Sequence, residues 1–147
     1  GNLAQTGKLN TDLLNQLNAL DFYKSNQSMG FEIVKNEVFP LIDAYQLSAI
    51  DVLNTYSEHI ALQISKHLNP NSKVLITGGG ALNVYLMNRL QNIKPINLII
   101  PDKQLIDSKE ALIFGLLGLL RNEEEINCLK SVTGATKNHS SGVIYNP

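Results

Sequence analysis

The sequence predicts an α/β fold, and three observations predict it. Lys73-Val-Leu-Ile-Thr77 is a short, apolar, β-branched run with no helical period; three glycines follow it, then a helical pattern from Ala81 to Leu90; and a second apolar run, Ile96 to Ile100, stands between Pro95 and Pro101. Strand, helix and strand in so few residues make the two strands parallel neighbours with a right-handed crossover. The first reads as a buried strand. Sheets average about five strands, so the pattern predicts part of a larger fold, helix-rich with at least two parallel strands.

Taken in order, Leu13, Leu14, Leu17 and Leu20 recur at helical spacing behind Thr11, which stands where an N-cap would, so a first helix runs to about Asp21. Phe31, Val34, Val38, Phe39, Leu41 and Ile42 predict a second helix with Glu32 in its first turn, which Pro40 should kink or end. The third is the clearest. Ser48 and Asp51 resemble a capping box with Asp in place of Glu, and Leu53, Tyr56, Ile60, Ile64 and Leu68 form one apolar stripe expected to face the core, until Asn69-Pro70 stops it. A last helix is expected from about Ser108 to Arg121, with Asp107 or Ser108 as N-cap and Glu110 in the first turn, before a polar tail that reads as a surface loop.

The chain has 147 residues, 44% of them hydrophobic and 17% charged, with 12 Lys+Arg against 13 Asp+Glu and a formal net charge of -1. These values fit one soluble globular domain or a large piece of one. They provide no electrostatic drive toward nucleic acid or an anionic membrane. The single cysteine, Cys128, cannot form an intramolecular disulfide, and no Cys/His spacing suits a structural metal, so a reducing cytoplasm is the expected setting. Ala111 to Leu120 is too short for a membrane span, which needs roughly 18 residues, and the opening GNLAQTGKLN lacks the pattern of a signal peptide. A first residue of glycine suggests a chain trimmed or cut from something longer. His59, His67 and His139 show no metal-ligand spacing, and Glu123-Glu124-Glu125 reads as a solvated loop.

The most informative stretch is Val74-Leu-Ile-Thr-Gly78-Gly79-Gly80-Ala-Leu-Asn83. Glycines remove the side chains that keep a ligand from the backbone, and a helix start presents unpaired N–H groups, so a phosphate or ribose could dock there. Glycines also ease a tight turn and close helix-on-sheet packing. The P-loop is excluded, because no lysine follows. The Gly-x-Gly-x-x-Gly fingerprint is met at Gly78 and Gly80, while Asn83 takes the third glycine's place; Asp102 stands about where a ribose-binding acid belongs, so a small Rossmann-like nucleotide-binding module is the alternative reading.

Three further segments, VLITGGGALNVYLMNRL, IDSKEALIFGLLGLL and SVTGA, stand in an order and spacing that resemble the C-terminal half of anhydro-N-acetylmuramic acid kinases. Upstream, AQTGKLNTDLLNQLNALDFYKSNQSMGFEIV looks like that family's Gly-x-hydrophobic-Asn helix and its Lys-Ser-Leu-Gly-Phe-Glu segment, so the resemblance spans nearly the whole chain. It implies the second of two RNase H-like domains of the sugar-kinase, Hsp70 and actin superfamily, which close over ATP with its Mg. It also implies a cytoplasmic enzyme that phosphorylates O6 of 1,6-anhydro-N-acetylmuramic acid while water opens the anhydro bridge, giving N-acetylmuramic acid 6-phosphate for cell-wall recycling.

By the same resemblance, Gly78, Gly79 and Gly80 are the turn against the adenosine and inner phosphates, with Asn83 either a ligand contact or a helix cap. Glu110 matches the glutamate of the family's Lys-Glu-Ala helix start, a position expected to reach the sugar hydroxyls; the alternative is a first-turn carboxylate that offsets the helix dipole. Glu32 and Ser28 could shape the sugar side or cap the second helix. Two family motifs are not in this sequence: the Asp-Gly-Thr phosphate turn and the Phe-Asp-x-Gly/Cys-Pro-x-Asn segment that carries the catalytic base. The resemblance thus implies a missing N-terminal lobe as partner, with a homodimer also open. Asn26-Gln27 replace the usual Pro-Lys, and Cys128-Leu129-Lys130 replace the common Leu-Pro before SVTGA.

Overall fold

The computed structural model describes residues 1–24 and 30–145; Asn26, Gln27 and Ser28 lie outside them. Two compact units follow one another along the chain, residues 1–100 and 101–147.

In the first unit, helices α1 (Asn2–Thr6), α2 (Thr11–Asn18), the helical run 31–44 (α3) and α4 (Ala49–Lys66) precede strand β1 (Lys73–Leu75), helix α5 (Val84–Ile93) and strand β2 (Asn97–Ile99). The expected strand–helix–strand unit is present. β1 and β2 pair in parallel, with Lys73 opposite Asn97, Val74 opposite Leu98 and Leu75 opposite Ile99. Both strands are shorter than the apolar runs and are covered on one face only, because Ile76 and Leu98 pack on Ala61, Leu86 and Met87 while Leu75 is 61% and Ile99 43% exposed. The expectation of a buried first strand is therefore corrected.

Local chemistry sets the other boundaries. Asn10, one residue earlier than expected, caps α2: its side chain accepts the Leu13 N–H at 2.8 Å. Pro40 does not end α3. Its ring blocks the normal ladder, and the chain accommodates it through a π-turn, Val34–Val38, in which the Phe39 N–H reaches the Val34 carbonyl five residues back. Leu13, Leu17 and Val38 form the core between these helices.

Helix α4 is the hub, and its expected stripe is only partly buried. Tyr56 and Ile60 of the stripe pack on the two cores, Leu53 and Ile64 are exposed, and Asn54, Thr55, Glu58, His59, Ala61 and Ser65 are buried as well. Helices pack on several sides of α4, so its polar residues become inter-helix fasteners. Thr55 Oγ1 accepts the Asn10 N–H at 2.9 Å, Asn54 Nδ2 donates to the Ala4 carbonyl and to Tyr85 Oη, both at 2.8 Å, and Glu58 holds Arg89 through two hydrogen bonds of 2.6 and 2.9 Å. Ser48 caps the helix as its sequence suggests, accepting the Asp51 N–H at 3.3 Å; the Asp51 carboxylate reaches across to the Lys8 N–H at 2.6 Å.

The second unit is a twenty-residue helix, α6 (Lys103–Asn122), a short helix α7 (Lys130–Thr133) and the tail after it. Asp102 caps α6, accepting the Leu105 N–H at 2.8 Å, so the helix starts well before Ser108. The tail is more ordered than a bare surface loop. Cys128 and His139 exchange backbone hydrogen bonds of 3.0 Å, Asn127 Oδ1 accepts the Ser141 N–H at 2.7 Å, and Arg121 Nε donates to the Gly142 carbonyl at 2.9 Å. Among the described residues no helix is long and apolar enough to cross a membrane.

Candidate functional site

The glycine turn forms where β1 hands the chain to α5. The Ile76 N–H donates to the Ile99 carbonyl at 3.0 Å, extending the strand pairing. Gly78 then takes φ +85°, ψ 171°, a conformation that side chains oppose. A single 3₁₀ turn, Gly79–Leu82, follows, closed by the Ala81 N–H on the Gly78 carbonyl at 3.0 Å and the Asn83 N–H on the Gly80 carbonyl at 3.1 Å. The helix proper therefore starts at Val84 rather than Ala81.

Why three glycines stand here is answered position by position. A Cβ at Gly78, Gly79 or Gly80 would meet no heavy atom within 4 Å. Close packing therefore dictates none of them; positive φ dictates Gly78 alone. Gly79 and Gly80 leave bare, exposed backbone that the fold itself does not require. Backbone left bare in this way is open to a ligand whose approach a Cβ would obstruct.

Asn83 lies beside the glycines as expected, and its side chain is in use. Oδ1 accepts the Leu86 N–H at 3.1 Å, which makes Asn83 the N-cap of α5. Of the two readings left open, the cap is the one seen.

Next to the turn, a cleft of about 430 Å³ is lined by Ala81, Val84, Met87, Asn88, Gln91 and Leu98, a volume within the range of small-molecule sites. Sequence reading passed over Asn88 and Gln91, because polar residues on one side of an amphipathic helix are by default its solvent face. Only their i, i+3 spacing, which sets both on one side of α5, could have paired them.

Glu110 belongs to the other unit. It is exposed and lies seven residues beyond the first residue of α6, so it cannot be the first-turn carboxylate that offsets the helix dipole. Asp102, the candidate ribose acid of the dinucleotide reading, is engaged as the cap of α6. Glu32 does lie in the first turn of α3, folded back toward the N-cap Gly30: a Cβ there would sit 2.5 Å from Glu32 Oε2.

The most perturbed ionisable group is away from the glycines. His59 is 1% exposed, with Nδ1 2.8 Å from Asn18 Oδ1 and Nε2 2.8 Å from Tyr23 Oη, and its ring stacks on Tyr56. Asn18 Oδ1 can only accept, and it also accepts from Gln63 Nε2 at 2.6 Å, so His59 carries its proton on Nδ1 and the Tyr23 hydroxyl donates to Nε2. Burial, aided by the Lys66 charge, lowers the His59 pKa to about 4. Burial likewise raises the Tyr23 and Tyr56 hydroxyls above their ordinary range. Among the described residues no group of three or more His, Cys, Asp or Glu is placed to hold a metal ion.

Comparison with known proteins gives this geometry its context. The family model for anhydro-N-acetylmuramic acid kinase matches residues 1–147. The chain is 32% identical over 158 residues to the anhydro-N-acetylmuramic acid kinase of Saccharophagus degradans, covering 100% of this chain and 43% of that protein. The Vibrio cholerae protein of the same name is 31% identical, with 98% of this chain and 42% of the relative covered. That of Sulfurovum sp. is 39% identical over 101 residues, 67% of this chain. The chain thus spans less than half the length of the curated relatives it matches.

Proposed function

The chain belongs to the anhydro-N-acetylmuramic acid kinase family, and we propose that it is the C-terminal, nucleotide-side lobe of such a kinase, an RNase H-like domain working in the cytoplasm. The observation that carries the nucleotide reading is the cradle at Gly79 and Gly80, bare backbone that neither packing nor dihedral strain explains. ATP, with Mg held largely by its phosphates, supplies the phosphoryl group. Gly78 aims the turn, Gly79 and Gly80 admit ribose or phosphate to the backbone, and Asn83 fixes the start of α5 that carries the adjoining cleft. Loss of the helix-dipole explanation for Glu110 strengthens its assignment to the sugar hydroxyls.

The proposed reaction transfers the γ-phosphoryl group to O6 of 1,6-anhydro-N-acetylmuramic acid. Water adds at C1, and the C1–O6 bridge breaks, giving N-acetylmuramic acid 6-phosphate. A base must take the water's proton, and the segment that carries it in the family is not in this sequence. This chain alone is therefore proposed to be inactive, its catalytic partner being the N-terminal lobe.

A coupled ADP-release assay on a chimera, in which these 147 residues replace the matched region of the Saccharophagus degradans relative, tests the reading. Turnover confined to the anhydro sugar, with Glu110→Gln weakening the sugar step and sparing the KM for ATP, is expected. Turnover that ignores the sugar offered, or a Glu110→Gln variant that loses ATP and sugar equally, would contradict it.

A further inference from the structure

A Cβ at Gly78, Gly79 or Gly80 would meet nothing within 4 Å, so no side-chain packing pins the turn and its place is set by the two elements it joins. On one side, β1 is fixed by its pairing with β2. On the other, α5 is fixed by α4, through contacts of two kinds. Leu86 and Met87 pack on Ala61; apolar contact is non-directional and holds the helices together without choosing their register. The polar contacts are directional. Asn54 Nδ2 donates to Tyr85 Oη at 2.8 Å. Four residues further along both helices, Arg89 donates to the Glu58 carboxylate through Nε at 2.6 Å and Nη2 at 2.9 Å. At the far end, Lys94 Nζ donates to the Ser65 carbonyl at 2.8 Å. The partners' numbers rise together, so α4 and α5 run side by side in the same direction, with the Asn54–Tyr85 rung nearest the glycine turn.

The Glu58–Arg89 rung is the one that stability explains least. The Glu58 side chain is 12% exposed, and a largely buried ion pair adds little net stability over apolar residues of similar volume. What it adds is geometry. The guanidinium fork takes both carboxylate oxygens, which fixes the rotation of α5 about its own axis as well as its height along α4. Arg89 stands in the second turn of α5, and the first turn, capped by Asn83, continues directly from the glycines. We propose, on the reading of this turn as the nucleotide site of a kinase lobe, that the Glu58–Arg89 fork is its positioning device: it sets where the bare backbone of Gly79 and Gly80 stands and, through that, the affinity for ATP. Both are positioning residues that act through α5, with Asn54 and Tyr85 as the second rung.

Two variants separate positioning from packing. Arg89→Lys keeps the charge and loses the fork, while Glu58→Leu combined with Arg89→Met replaces the pair by apolar residues that keep the helices packed. In the 147-residue chain, followed by NMR, the amide signals of Gly79 and Gly80 are expected to shift in both variants, while those of Lys130–Thr133 in the other unit stay in place and the midpoint in urea stays close to that of the unaltered chain. In the chimera with the Saccharophagus degradans relative, both variants are expected to raise the KM for ATP by about tenfold, with the KM for the anhydro sugar unchanged. An unchanged KM for ATP in the folded double variant overturns the proposal, as does a KM that rises only in step with lost stability. Glycine amide signals that stay in place overturn it as well, and that readout needs no turnover. The unaltered chimera separates the two claims: turnover with unmoved glycine amides removes only the positioning, and moved glycine amides without turnover remove only the kinase assignment.

Discussion

Adjacent glycines in one turn have different jobs. Gly78 is held at φ +85°, ψ 171°, an extended positive-φ conformation essentially reserved for glycine, so Gly78→Ala is expected to cost about 1–3 kcal/mol, read as a lower midpoint in urea with an unchanged slope. Gly79 has no such constraint and open space around it, so a side chain there should leave stability nearly unchanged. The same stretch shows how far sequence reasoning reaches. Three glycines between an apolar strand and a helix are visible in the letters, but which serves the backbone and which leaves room is a matter of φ and neighbours. Asn83 and Glu110 show the limit from either side. A cap and a ligand contact need the same polar residue at the same place, and Glu110 lost its helix-dipole explanation only when α6 proved to begin at Lys103.

Among elements, α4 explains most of what periodicity could not. Its stripe of Leu53, Tyr56, Ile60, Ile64 and Leu68 has helical spacing, and the segment is indeed a helix, but apolar periodicity assumes one buried face. Neighbours on several sides of α4 bury polar residues too, and Asn54, Glu58 and His59 find partners far away in sequence, pairings that leave no local signature. Gly7 belongs to this arrangement, since a Cβ there would sit 2.1 Å from the Ile50 carbonyl oxygen. Gly7→Ala should therefore push α1 from α4 and destabilise by about 1–3 kcal/mol in chemical denaturation. His59 gives the same packing a pH signature. Its folded pKa of about 4 lies below the ordinary 6.5, so between those values the unfolded chain binds more protons. Stability from this group is complete above about pH 6.5 and falls as pH drops toward 4, by on the order of 3 kcal/mol. Thermal unfolding across that range should show the decline, and the His59→Gln variant, less stable at neutral pH, should show a flatter profile.

At the largest scale, the strand–helix–strand order and the parallel pairing were legible because they depend on local runs and their separation. The exposed face of the sheet was not, because an apolar run has the same letters whether one or both of its faces are covered; Leu75 and Ile99 differ from Ile76 and Leu98 only in where the helices lie. In the proposed kinase this lobe presents its glycine turn to ATP. The most direct measurement is the KM for ATP and the thermal midpoint of Gly79→Val, made in the chimera with the Saccharophagus degradans relative and assayed with 1,6-anhydro-N-acetylmuramic acid. A KM for ATP raised about tenfold or more, equivalent to roughly 1.4 kcal/mol of lost binding, with the midpoint and the KM for the sugar unchanged, is the predicted result. An unchanged KM for ATP, or a fall in stability that matches the loss of activity, would contradict it.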